Sequence, residues 1–156
     1  MGRQPSIPPA SALTAHLGFW LRTVSNHVSH AFAGRLAGKG VTAAEWVMMR
    51  ALYGKDPMQP SGLADEMGMT RGAITKLADR LINKSPIVRK PDRDDGRAQT
   101  LALTPQGTSL LPELTALADQ NDAEFFGCLT RAEREALERL LKQLVEHGRM
   151  TDVPIE

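Results

Sequence analysis

The 156-residue sequence is poor in several features that would indicate other classes of protein. It has a single cysteine, Cys128, so no disulfide can form within the chain, which is typical of a reducing cytosolic compartment. No apolar run approaches the roughly twenty residues that a membrane-spanning helix needs. The composition therefore predicts a cytoplasmic protein without a membrane segment, and the length predicts one compact domain with a real core.

Catalytic and metal-binding patterns are also missing from the sequence. No nucleophile, base and orienting group recur at a spacing that would build an enzyme active site. His27 and His30 are one helical turn apart, but no acidic or cysteine ligand stands at metal-binding spacing beside them. Cys128 has no flanking base, which favours a thiol packed in the core over a redox sensor. We therefore expect no enzyme activity, no cofactor and no bound metal.

A helix-turn-helix pattern is the most informative stretch that is present. Ser61 and Thr70 are predicted N-caps, and Gly68 is predicted to end the first helix in a left-handed conformation. The pattern predicts one helix over about 61–67 and a second over about 70–84. The apolar residues that would pack the two helices together are Leu63, Ala64, Met67, Ile74, Leu77, Ala78 and Leu81. Ala64, Gly68 and Ile74 have the spacing of a helix-turn-helix.

The opposite face of the second helix is polar. It carries Arg71, Gly72, Thr75, Lys76, Asp79 and Arg80. Gly72 costs a helix about 1 kcal/mol relative to alanine, which is explained if the helix must approach another surface closely. A solvated face is the plain alternative. The sharper interpretation is a recognition helix whose first turns enter the major groove of DNA.

A β-hairpin is predicted directly after this helix, as in a winged helix. Its strands are predicted at 87–90 and 99–103, and Asp95-Gly96 is the turn signal between them. Before the hairpin, Pro86 is expected to hold Ser85 in an extended conformation. From Arg71 to Arg97 there are eight basic and four acidic residues, whereas the whole chain has a net charge of only +1. This concentration of positive charge is typical of a DNA-binding surface.

Long amphipathic helices are predicted on both sides of the winged helix. The first covers about 11–37, and a capping box at Thr42 opens the next. Thr104 caps a later helix in which Pro112 should cause a bend or a delayed start. A second capping box at Thr130 opens the last helix, whose apolar seam consists of Leu137, Leu140, Leu141, Leu144 and Val145. Such faces must be buried, so a twofold homodimer is expected, with a self-contained helical cap on a monomer as the alternative.

Three motifs in this order resemble the MarR family of bacterial transcriptional regulators. They are LADEMGMTRGAITKLADRLI over 63–82, DRDDGR over 92–97 and LALTPQG over 101–107. The resemblance implies a mainly α fold with a small β wing, that is, a winged helix-turn-helix with N- and C-terminal dimerisation helices. The expected regions are a flexible arm (1–10), a dimerisation helix (11–40), the DNA-binding region (41–104) and C-terminal dimerisation helices (105–150).

The resemblance also implies partners and site residues. The partners are a homodimer mate, a pseudo-palindromic operator in double-stranded DNA and a small aromatic or phenolic effector that releases a repressor from it. The expected DNA-binding residues are Ser61, Thr70, Arg71, Gly72, Thr75, Lys76, Arg80, Arg93, Asp95 and Arg97, with Asp95 holding Arg97 for the minor groove.

The expected effector-binding residues are His16, Trp20, Trp46 and Arg50, although aromatic residues at helical spacing are more often part of a core. The alternative function is a helical protein-interaction module that uses a winged-helix scaffold without DNA binding. The wing tip discriminates between them, because a protein partner has no special need for Arg93 and Arg97 there.

Overall fold

The computed structural model describes residues 9–150, which form six α-helices and one two-stranded sheet. The elements are α1 (Leu17–Ala37), α2 (Ala43–Leu52), α3 (Pro60–Met67), α4 (Arg71–Lys84), β1 (Ile87–Pro91), β2 (Gln99–Leu103), α5 (Pro105–Phe126) and α6 (Arg131–Gly148). The predicted class, mainly α with a small β wing, is confirmed. The predicted arm lies, as far as residue 8, outside the described residues. Over residues 9–150, no helix combines the length and apolarity needed to cross a membrane.

The hairpin is antiparallel and is attached through the middle of β2 to the segment before α3. Ile87 pairs with Leu103 at one end of the ladder, and Pro91 pairs with Gln99 at the other. Met58 forms a β-bridge with Leu101, in which the two main-chain hydrogen bonds measure 2.9 and 2.7 Å. The hairpin is therefore hydrogen-bonded to the segment before α3 as well as covalently connected to α4.

The hydrophobic core is formed by apolar residues from the end of α1, from α2, α3 and α4, from both strands and from the first half of α5. All seven apolar residues predicted to pack α3 against α4 are buried. Ile74 and Leu63 are completely buried, and Ala64 is small enough for the two helices to cross closely. Leu36, Met48, Met49, Leu101, Leu111 and Leu114 complete this core from the neighbouring elements.

Four threonines begin helices as predicted. The side chains of Thr42, Thr70, Thr104 and Thr130 each accept a hydrogen bond from the main-chain N–H three residues later, and both capping boxes are complete. The prediction for Ser61 is wrong. Gln59 is the N-cap of α3 and Ser61 lies inside its first turn, because Pro60 is already preset for the first helical position.

Ser85 ends α4 in the left-handed conformation (φ 82°), so the prediction of an extended Ser85 is wrong. This conformation lets its N–H donate to Ile82 O at 3.1 Å, while its carbonyl accepts from Thr104 Oγ1 at 2.6 Å. These bonds offset the cost of a left-handed serine. Gly107 completes the junction, because a Cβ there would lie 2.2 Å from the carbonyl oxygen of Pro86.

Two further expectations need correction, and a third keeps one of its two alternatives. The first helix is not continuous over 11–37, since His16 is extended and separates a short 3-10 turn at 13–15 from α1. Pro112 does not delay the start of α5, which begins at Pro105 and contains Pro112 in its interior, so a bend is the alternative that stays a prediction. Cys128 is exposed rather than packed in the core, because it follows the last turn of α5.

Candidate nucleic-acid interface

Helix α4 presents the predicted polar face to solvent. Arg71, Gly72, Thr75, Lys76, Asp79 and Arg80 are all exposed, while the apolar face of the same helix is buried. A Cβ placed on Gly72 would meet no atom within 4 Å. The first turns of α4 are thus open to a partner that approaches the main chain itself.

The charged side chains of this face are largely free. Within residues 9–150, Arg71, Lys76 and Arg80 form no ion pair. The hydroxyl of Thr75 donates to the carbonyl oxygen of Arg71 at 3.0 Å, which leaves its methyl group and both lone pairs of its oxygen for an outside contact. Helix α4 therefore offers three cations and one short polar side chain to a partner.

Beside this face, an ion pair connects α4 to the hairpin. Arg89 on β1 donates to Asp79 on α4 at 2.5 Å. Because Asp79 belongs to the exposed face of α4, this contact brings the hairpin next to that face. The hairpin therefore has the position of a wing beside a recognition helix.

Two aspartates organise the tip of the wing. The predicted Asp95-Gly96 turn is confirmed: Ala98 N–H donates to Asp95 O at 3.0 Å, and Asp95 Oδ1 accepts from Arg97 N–H at 3.0 Å. The contact between Asp95 and Arg97 is thus through the main chain. Asp92 Oδ1 accepts from the N–H of Asp94 at 2.9 Å, and Arg93 and Arg97 remain exposed at the tip.

The role of Asp92 was missed from the sequence. Its carboxylate also accepts from Gln59 Nε2 at 2.8 Å. The bond from Gln59, followed by those from the main-chain N–H groups, holds the pKa of Asp92 below its ordinary value. The aspartate at the start of a polar loop is a signal for a turn, but nothing local indicates its partner 33 residues away.

Two of the basic residues between Arg71 and Arg97, namely Lys84 and Arg89, form ion pairs within the protein. Lys84 Nζ donates to both carboxylate oxygens of Glu45 at 3.0 Å and to the carbonyl of Gly40 at 2.9 Å. Glu45 is completely buried and also accepts from Thr42 N–H. Lys84 thus connects the end of α4 to the start of α2. Together with the pairing of Arg89, this reduces the number of cations available to DNA.

Only two of the four expected effector residues come together in the single chain. Trp46 and Arg50 line a surface cavity of about 460 Å³ with Tyr53 and Lys55. Arg50 lies 5.7 Å from the centre of the Tyr53 ring, and the same two residues line a second cavity of about 290 Å³ against α5.

His16 and Trp20 line neither of these cavities. They lie at the exposed start of α1, where Trp20 Nε1 donates to Thr14 O at 2.9 Å. Trp46 packs edge-on against Phe32 and has a buried Nε1 that finds no hydrogen-bond acceptor within residues 9–150. Within one chain, His16 and Trp20 therefore lie apart from the cavities that Arg50 lines, and their effector role stays a prediction.

Both ends of residues 9–150 expose large apolar side chains. On the N-terminal part these are Leu13, Leu17, Phe19, Trp20, Leu21 and Val24, and on α6 they are Leu140, Leu141, Leu144 and Val145. A groove of about 430 Å³ between α5 and α6 is lined by Phe126, Leu137, Leu141 and Val145, among others. The predicted seam of the last helix therefore lies on the surface of a single chain.

The geometry agrees with comparisons to known proteins. The family model described as "MarR family" matches residues 39–98, from the turn after α1 as far as the wing loop that precedes β2. A protein of Thauera aromatica, named as a transcriptional regulatory protein for the hcr operon, is 31% identical over 134 residues, which are 85% of this chain and 81% of that protein. The regulator PrsX of Escherichia coli is 27% identical over 114 residues, 72% of this chain and 69% of its own.

Solved structures give the same result. A probable transcriptional regulator from Pseudomonas aeruginosa superposes with a TM-score of 0.74 at 29% identity, covering 85% of this chain and 99% of the other. A mutant of MarR from E. coli complexed with operator DNA gives 0.73 at 25% identity, covering 83% and 93%. The chain belongs to the MarR family, whose members are transcriptional regulators and not enzymes.

Proposed function

We propose that this protein is a homodimeric, sequence-specific DNA-binding repressor that is released from a pseudo-palindromic operator by a small aromatic or phenolic ligand. The observation that carries the DNA-binding part is the contact between Asp79 and Arg89. It joins the exposed cationic face of α4 to the wing, so that both can meet one duplex. The structure of a MarR mutant with the same fold, complexed with operator DNA, supports DNA as the partner.

Each exposed residue has a distinct role in this proposal. Thr75 and Lys76, in the middle of the α4 face, read base edges in the major groove, and Gly72 allows the close approach. Thr70 and Ser61 at helix N-termini, together with Arg71 and Arg80, hold phosphates. At the wing, Arg93 and Arg97 enter the minor groove, and Asp95 orients the main chain at Arg97.

The helical ends supply the dimer. In the proposed arrangement, residues 11–40 and 105–150 of two chains bury their exposed apolar faces together, and residues 41–104 contact DNA. One recognition helix covers too few base pairs for a useful site, whereas two helices related by a twofold axis read half-sites about 34 Å apart. The exposed Leu17, Leu141 and Leu144 support this assembly, because apolar patches of this kind mark interaction surfaces.

A salt series with a matched pair of variants tests DNA binding. We expect wild-type binding to a duplex to weaken steeply with salt, because bound cations release counterions from the phosphates. Arg97→Ala should weaken binding about tenfold and lower the salt slope by about one unit. Arg139→Ala, which removes the same charge from the exposed surface of α6, is the control and should change neither.

The alternative function gives a different result in the same experiment. A protein-interaction module would show no salt-dependent binding to any duplex. Identical behaviour of the Arg97→Ala and Arg139→Ala proteins, with both correctly folded, would contradict the wing assignment.

The effector part of the proposal concerns the cavity beside Trp46 and Arg50. An aromatic acid there would stack beside Trp46 and Tyr53 and pair its carboxylate with Arg50, which forms no ion pair within residues 9–150. Arg50 also borders the second cavity, against α5. A ligand at this junction would change the spacing of the two recognition helices.

Fluorescence tests this site. In a Trp20→Phe background, Trp46 is the remaining tryptophan, and 4-hydroxybenzoate should quench it and weaken DNA binding. Replacing Arg50 with Gln should remove both effects while leaving DNA binding intact without the ligand. Quenching that persists in the Arg50→Gln protein would place the ligand elsewhere.

A further inference from the structure

The wing is attached to the rest of the protein midway along its strands, but its tip has a separate attachment. Midway along the ladder, Met58 pairs with Leu101, and Arg89 pairs with Asp79. Beyond the last pair of the ladder, Pro91 and Gln99, the Asp92 N–H donates to Ala98 O at 3.0 Å, and the loop of residues 92–98 carries both tip arginines. Contacts between this loop and the rest of the protein set the position from which the two arginines extend.

Asp92 is the residue that connects this loop to the helix-turn-helix. Its two carboxylate oxygens accept different hydrogen bonds. Oδ1 accepts from the main-chain N–H of Asp94, and Oδ2 accepts from Gln59 Nε2 at 2.8 Å. Gln59 is the residue immediately before α3, and its side chain makes no capping bond to that helix. The side chain of Gln59 is therefore available to form a hydrogen bond with the wing.

From these contacts we infer that Gln59 and Asp92 form a latch that holds the wing tip in the position from which Arg93 and Arg97 reach DNA. Neither residue contacts DNA in this role, so both are positioning residues. The inference deepens the proposed function and rests on it. It makes the segment before α3 part of the wing's placement, in addition to its main-chain pairing with β2.

The latch and a purely electrostatic role for Asp92 predict opposite changes in DNA affinity when the charge of Asp92 is removed. A carboxylate at the tip of a DNA-binding wing repels phosphates, so removing its charge should tighten binding if repulsion were its only effect. If Asp92 holds the latch, the same substitution should weaken binding. The two interpretations therefore predict opposite changes for one variant.

Asp92→Ser is the variant that separates them. The single hydroxyl oxygen of Ser can still accept from Asp94 N–H, so the local turn is kept, but the second oxygen, to which Gln59 donates, is lost. We expect about five- to tenfold weaker binding to a duplex that wild-type protein selects from a random-sequence pool. Gln59→Met, which changes no charge, should weaken binding by a similar factor.

A donor–acceptor exchange provides the rescue. In the double variant Gln59→Glu, Asp92→Asn, the amide of residue 92 can donate to the carboxylate of residue 59, with unchanged side-chain lengths and net charge. We expect its affinity to return to within about twofold of wild type. Gln59→Glu alone places two carboxylates together and should bind most weakly of the set.

Trypsin provides a readout that does not depend on DNA. The tip offers cleavage sites after Arg93 and Arg97, and Gln59 is remote from both in sequence. We expect the Gln59→Met protein to be cut at these sites several times faster than wild type, with an unchanged far-ultraviolet spectrum and melting temperature.

The outcomes are distinguishable. Faster wing cleavage in Gln59→Met together with weaker binding by Asp92→Ser supports the latch. Wild-type cleavage of Gln59→Met, or tighter binding by Asp92→Ser, overturns it. If wild-type protein binds no duplex, the proposed function fails, and the trypsin comparison still decides whether the latch exists.

Discussion

The winged region and the helical ends have similar apolar periodicity in sequence, but the apolar residues are buried in the winged region and exposed at the helical ends. In the winged region, Ile74, Leu77 and Leu81 on α4 are buried against neighbouring elements of the same chain. On α6, Leu140, Leu141 and Leu144 repeat at similar steps and remain exposed. Periodicity therefore identifies a face that must be buried, but it does not say whether the partner is the same chain or a second copy.

The ion pairs of the two regions differ in burial and in what they connect. In the winged region, Lys84 pairs with a completely buried Glu45 and so connects two elements. On α6, Arg131 pairs with Glu135 one turn along the same exposed surface. Exposed pairs within one helix contribute only about 0.3–0.5 kcal/mol. The winged region thus specifies its own geometry, whereas α6 depends on what covers its apolar face.

The largest expected effect is at the α6 seam. Leu141→Asp should convert the dimer to a monomer, because the dimer would have to bury an uncompensated carboxylate at a cost of several kcal/mol. Sedimentation equilibrium measures the change, and DNA binding should weaken with it. Gln143→Asp adds the same charge to the exposed side of α6 and is the control. A Leu141→Asp protein that remains dimeric and binds a palindromic site normally would show that the seam is not the interface.

An intermediate effect is expected at Lys84. Lys84→Met removes a donor from the buried Glu45 and should lower the free energy of unfolding by about 1–3 kcal/mol, measured by urea denaturation. Because Lys84 is bound within the protein, the salt slope of DNA binding should not change. Lys90→Met, on the exposed wing strand, is the control for loss of one lysine charge. Equal stabilities of the two variants, or a reduced slope for Lys84→Met, would contradict the internal role.

The last effect, of similar size, is one of sequence preference rather than stability. Lys76→Ala should reduce the discrimination between selected and random duplexes by about 1–3 kcal/mol, and Thr75→Ala should act in the same direction. Arg80→Ala, by comparison, should weaken binding to both duplexes equally. Equal losses on both duplexes for Lys76→Ala would reassign Lys76 to a phosphate.

Local signals account for the features that the sequence predicted well. The threonine caps, the left-handed Gly68 (φ 64°) and the buried stripe of α4 each depend on residues within a few positions of one another. The left-handed Ser85 was not predicted, because its carbonyl is held by a hydrogen bond from Thr104 Oγ1, which lies 19 residues away. The start of α3 was misplaced by one residue because Pro60 competes with Ser61 for the first positions.

The candidate site was predicted in its exposed part and missed in its supporting contacts. Exposure of Arg71, Lys76 and Arg97 follows from periodicity and from the position of the turn. The bonds of Lys84 to Glu45 and of Gln59 to Asp92 span 39 and 33 residues, so they require the assembled fold. Consequently, counting charges along the sequence overestimated the cations that are free to meet DNA.

The most direct test of the central claim is selection of duplexes by the full-length protein from a random-sequence pool. The account predicts enrichment of an inverted repeat whose half-site centres are about 10 base pairs apart, bound by one dimer. Enrichment of a single unrepeated element bound by one chain, or no enrichment at all, would contradict it.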